Sequence, residues 1–165
     1  MAEGLTMKFE IFGEKQVDRM LSYPIGQVKD LRPVWWRMRD NFSAGQKKHF
    51  KSEGSATGAK FQALSAKYAA WKRKHYPGKP ILQRTGALYR SLTNVRAKGA
   101  IYRALPMSLI IGTKISYAAY HQFGGGALPR RPVVRLTEKQ KKLFMKFLQE
   151  HLFKELGGFG PRLII

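Results

Sequence analysis

Hydrophobic and polar positions alternate in MKFEIFG, where Lys8 and Glu10 separate Met7, Phe9 and Ile11, predicting a half-buried strand ended by Gly13. The period then changes: within EKQVDRMLS, Val17, Met20 and Leu21 share one helical stripe, before Pro24 and Gly26 break the chain. From Asp30, an N-cap with Pro33 in the first turn, LRPVWWRMRDNFSAGQKKHFKSEG reads as one long helix carrying Val34, Met38, Phe42 and Phe50, weakened by Gly45. The Gly- and Ser-rich SEGSATGAK at its end is a loop. A second helix starts at a Ser65 N-cap and stops at Tyr76, because Pro77, Gly78 and Pro80 cannot continue it. Its Tyr68 and Trp71, at (i, i+3), form an expected core pair, and Trp35 is likewise assigned to the core. Thr85 caps a short helix whose Leu88 and Leu92 face inward.

Further along, NVRAKGAIYRALPMSLIIGT predicts two strands joined around Leu105, Pro106 and Met107. The apolar run 109–111 makes the second of them central and covered on both faces. The clearest element comes last. Thr137 caps it, Glu138 sits in its first turn, Leu143, Phe144, Phe147, Leu148, Leu152 and Leu156 form a stripe, and Gly157 follows as a C-cap. These elements predict an α+β fold: a small antiparallel sheet with a β-hairpin, packed by several helices, among them a long one in the N-terminal half and an amphipathic one near the C-terminus. The expected organisation is a single domain over 1–156 and an arm over 157–165, whose apolar residues add to a neighbouring subunit or tuck back.

Charge changes the picture most. The 165 residues hold 31 Lys+Arg against 10 Asp+Glu, a net +21. Such an excess predicts a polyanionic partner, and each phosphate neutralised releases counterions without any base being read. Aromatic and basic residues interleave in YAAWKRKHYPGK and VWWRMRDNF, so Lys47, Lys48, Lys51, Lys72, Arg73, Lys74 and Arg130 are candidate contacts for DNA or an acidic partner. No helix-turn-helix or zinc-finger signature is present, so any DNA contact is expected to be sequence-blind.

Without cysteine, neither a disulfide nor a thiolate metal site is possible, and the chain suits a reducing cytoplasm. No metal or other cofactor is expected, since His49, His75, His121 and His151 are dispersed. The start of the chain has no signal-peptide pattern and no run of about 18 apolar residues occurs, so a soluble protein without a membrane partner is expected.

The most distinctive segment is YAAYHQFGGG, followed by ALPRRPVVRL. A triad built on His121 needs an orienting carboxylate, and the stretch from Ile115 to Arg135 has no Asp or Glu, so catalysis is not expected. The glycines match neither a P-loop nor a dinucleotide fingerprint; they let the chain turn with positive φ. The expectation is an aromatic plug from Tyr117 to Phe123 near the hairpin, with Phe123 buried, His121 fixing the turn by hydrogen bonding, and Arg130 or Arg131 bonding backbone carbonyls or a neighbour's carboxylate.

ILQRTGALYRSL, then YAAYHQFGGG, then LPRRPVVRL ahead of an amphipathic helix resembles the phage virion morphogenesis family, which includes Mu-like morphogenesis proteins and P2-like tail completion proteins. Its motif positions fall on Ile81, Leu82, Thr85, Gly86, Leu88 and Ser91, on Tyr117, Ala118, His121, Gln122, Phe123 and Gly124, and on Pro129, Arg131 and Pro132. The resemblance implies a non-enzymatic structural protein of a tailed phage, assembled in the host cytoplasm, that completes the tail and joins it to the head. It implies a ring of copies, sixfold by expectation, touching neck, portal or tail proteins, with phage DNA in the channel or an acidic protein rim as the polyanionic neighbour. The motif residues would then contact subunits or fix loops.

Overall fold

The computed structural model describes residues 4–10, 30–125 and 128–155. The expected helix at 14–22, the break at Pro24 and Gly26, and Ile11, Gly13, Gly126, Leu156, Gly157 and the 157–165 arm lie outside the described residues.

Three strands, β1 (Leu5–Glu10), β2 (Ala100–Ala104) and β3 (Ser108–Thr113), form an antiparallel sheet in the order β1-β3-β2. Five helices accompany it among the described residues: α1 (Arg32–Lys51), α2 (Ala66–His75), α3 (Ala87–Thr93), α4 (Ala118–Phe123) and α5 (Glu138–Glu155), of which α1 and α3 pack against the strands. The fold is α+β. Period-2 alternation sends Leu109, Ile111 and Thr113 of β3 into the core beside Leu5 and Met7 of β1. The central position of β3 follows the sequence, but its cover does not: Ile110 is only half-buried and lies in register between Lys8 and Arg103, so the second face of the sheet is partly solvated. Gly112 permits the close approach of β1, since a Cβ there would run into Leu5 O and stand 2.7 Å from Thr6 Cα.

α1 is the central helix. Val34, Trp35, Met38, Phe42, Gln46, His49 and Phe50 form its buried stripe, and it packs against α3 on one side and α5 on the other. Its N-terminus meets the β2–β3 turn, where Leu31 N–H donates to Pro106 O (2.7 Å) and Trp35 Nε1–H to Leu105 O (2.9 Å). Asp30 Oδ1 accepts the Arg32 N–H (2.9 Å), the bond expected of a cap, although the boundary residue is Leu31. α5 runs antiparallel to α1, tied by the Arg37–Glu150 ion pair (2.8 Å) and by Arg37 over the Phe147 ring (4.0 Å). At its start, Gln140 N–H donates to Thr137 Oγ1 (3.2 Å) while Gln140 Oε1 accepts the Thr137 N–H (3.3 Å), a reciprocal capping box. Gly45 is the notch into which Gln140 fits: a Cβ there would collide with the Gln140 amide.

Two cap and core expectations need correction. Gly86, at φ +73°, is the N-cap of α3, and exposed Thr85 only accepts the Ala87 N–H (3.4 Å); the left-handed backbone shifts the helix start by one residue. Ser65 does cap α2, but Tyr68 and Trp71 are exposed, stacked on each other at 5.5 Å with Trp71 stacked on His75 at 4.7 Å. α2 buries little of itself in the core, so helical spacing there yields a surface ladder.

Candidate functional site

The first and last of the family-like motif segments meet the C-terminal half of α1, through Gln83 and α3 and through Pro132. Phe50 O accepts from Gln83 Nε2 (3.3 Å), and the Glu53 carboxylate accepts the Ile81 N–H (2.6 Å). Ser91 Oγ donates to Leu88 O (2.9 Å) and shares a hydrogen bond with Thr113 Oγ1 (2.7 Å), joining α3 to β3, while Leu88 itself is fully buried. Ala118, buried, seats the start of α4.

Between α4 and α5 the chain turns a corner held by one amide. Gln122 Oε1 accepts the N–H groups of Val133 and Val134 (2.9 Å each), and Gln122 Nε2 donates to Val134 O (3.1 Å). Arg131 N–H donates to His121 O (2.7 Å), and Arg130 Nε to Gln122 O (3.3 Å). Gly124, at φ +81°, makes the exit from α4, and Gly125 bridges to Leu128 across the following bend, beside half-buried Pro129. Arg131 is buried and reaches away from the corner, with Nε donating to Gln62 O (2.6 Å) and Nη2 to Ala63 O (2.9 Å); it staples the segment ahead of α2. Burial pushes its pKa below the usual guanidinium value.

The corner does not have the expected aromatic plug. Phe123 is 69% exposed, Tyr120 54%, Leu128 46% and Tyr117 41%, so they form an outward apolar face. α4 has six residues, and with Ala118 and Gln122 turned inward, positions 117, 120 and 123 must face outward. His121 does not fix the turn through its side chain either: its Nδ1 is buried without a hydrogen-bond partner, and Gln122 does that work. Burial first, then the Arg131 charge, lowers the His121 pKa, which favours the neutral ring. Beyond the His121 N–H bond to Tyr117 O (3.3 Å), the hydrogen bonds that 121–122 make outside α4 among the described residues go to 130–134 and none to the hairpin.

His49, fully buried, is a member of the site that sequence reasoning passed over. Its Nε2–H donates to Pro132 O (2.7 Å), so Nδ1 accepts from Thr57 Oγ1 (2.6 Å), and desolvation lowers its pKa. Gln46 Nε2 reaches Arg135 O (3.5 Å) from the same stripe. The signal was present: positions 42, 46, 49 and 50 continue the apolar face of α1, so polar residues there had to be buried; His49 is bonded at both ring nitrogens and Gln46 at Nε2 alone.

The candidate cations do not form one set. Lys47, Lys48 and Lys51 are exposed along α1, and Arg73, Lys74 and Arg130 are exposed elsewhere. Lys72 is a correction: it is buried, and its Nζ donates to Pro80 O. Burial lowers its pKa, with the Glu53 charge opposing, so its ammonium is committed inside the protein. Among the described residues no group of three or more His, Cys, Asp or Glu could hold a metal, and no helix is long and apolar enough to cross a membrane.

The model of the phage virion morphogenesis family matches residues 13–153. No curated protein and no solved structure matches the chain.

Proposed function

The chain belongs to the phage virion morphogenesis family, and from this premise we propose that it completes the tail and joins it to the head as one subunit of an oligomeric ring. Its role at the coarser level is that of a virion-associated structural protein of a phage. The observation that carries the finer reading is the outward face of Tyr117, Tyr120, Phe123 and Leu128, mounted on a corner clamped by Gln122. Large exposed apolar side chains on a braced scaffold suit contact with a neighbouring subunit or a tail or portal protein. The clamp holds the face in one orientation before contact, which reduces the ordering cost of association.

Phe123→Asp in the phage tests this. Expected are a monomer with wild-type melting temperature, since an exposed substitution changes stability by about 0.5 kcal/mol or less, and a lysate of unjoined heads and tails. Normal yields of joined particles from the variant would overturn the assignment of this face, and absence of the chain from purified particles would overturn the virion location.

A second reading, sequence-independent DNA binding, is favoured by the net charge of +21. Copies gathered in a ring would repel one another unless a polyanion lay close by.

A further inference from the structure

Away from the aromatic corner, Arg39, Ser43 and Lys47 stand at i, i+4 and i+8 on α1 and line one wall of an open groove of about 590 Å³. The opposite wall is the turn leaving α3, with Thr93, Asn94, Val95 and Arg96. Exposed Lys51 continues the α1 row, which extends over about 18 Å from Arg39 at 1.5 Å per residue. We propose that this groove is a track for the phosphodiester backbone of double-stranded DNA. This deepens the second reading above by giving it a place.

Three features of the groove select that ligand. Its cations exceed its acids: the one carboxylate in the lining, Asp40, pairs with Arg39 (Nε at 2.8 Å), while Lys47 and Arg96 have no ion pair among the described residues, and the sequence has no Asp or Glu between Gly54 and Thr137. Its neutral groups are phosphate donors. Ser43 offers a hydroxyl, and Asn94 Oδ1 accepts the Arg96 N–H (3.0 Å), which leaves the amide NH2 as the donating end. Its apolar lining is only Ala44 and Val95, so a protein partner finds none of the aromatic anchors on which protein interfaces depend. A row of charges along a helix suits a polymer with a repeating charge, and contact made to that backbone alone carries no sequence information, so the proposed binding is sequence-independent.

The test is fluorescence anisotropy of the full chain with labelled short duplexes of two unrelated sequences over a series of salt concentrations. Both duplexes should bind alike, with log affinity linear in log salt. Lys47→Ala and Arg96→Ala should each reduce the steepness of that line by about 0.9, the share of one phosphate contact. Asp40→Asn should tighten binding, while Lys141→Ala on α5 should leave it unchanged, circular dichroism confirming that each variant is folded. No duplex binding by the wild type overturns the groove and the second reading together. Duplex binding that is unmoved by the groove variants overturns the groove alone. Tighter binding to polyglutamate than to duplex, lost in the same variants, reassigns the groove to an acidic protein and also overturns the proposal.

Discussion

Replacing Gln122 by Ala removes the amide that closes the corner between α4 and α5. Two N–H groups, of Val133 and Val134, and one carbonyl, of Val134, lose their partner, and these residues are 0% and 7% exposed. A buried polar group left unpaired costs about 1–3 kcal/mol. Gln122 itself is half-buried, so water entering the truncated site recovers part of this, and about 3 kcal/mol in total is the expected loss. For a chain of this length each kcal/mol moves the melting temperature by roughly 2–4 °C, so calorimetry should record a fall of roughly 6–12 °C. Gln122→Glu separates hydrogen bonding from packing. Its carboxylate still accepts both N–H groups, by charge-assisted bonds, but turns an acceptor oxygen instead of a donor toward Val134 O, so it should retain part of the lost stability. A loss below about 1 kcal/mol in Gln122→Ala, or no advantage of Glu over Ala, would refute the view that this amide holds the corner.

The imidazoles make stability depend on pH. His49 and His121 are held neutral, with pKa values lowered by burial, so the unfolded chain takes up their protons first as pH falls. Their contribution is complete above the ordinary imidazole value of about 6.5 and declines below it until the folded pKa values are reached, so urea midpoints should fall as pH is lowered from 7 to 5. A midpoint that rises over this range would refute the neutral assignment. Arg131→Lys keeps the charge but loses the two-pronged donation to Gln62 O and Ala63 O. Trypsin should then cut at Lys60 or Lys67 faster than in the wild type, and unchanged digestion would show that the segment ahead of α2 does not depend on this staple.

The sequence by itself determined the elements that repeat a pattern over several turns or strand residues. The stripes of α1 and α5, the Ser65 and Thr137 caps, the hairpin with its central β3 and the α+β class all follow from local spacing. The ordered motifs that point to the family were also legible, because they need no knowledge of contacts. Tertiary structure alone decided which of the distinctive side chains face in and which face out. His49 meets Pro132 across 83 positions, and Arg131 meets Gln62 across 69. Lys72 turns inward to the Pro80 carbonyl, against the preference of a charged residue for solvent. In α4, six residues span less than two turns, too few for a period to show a face, so Phe123 could be assigned only once Ala118 and Gln122 had claimed the inner side. Burial is a property of the assembled surface: a local pattern reports it where an element is long enough to be sampled several times, and distant partners set it everywhere else.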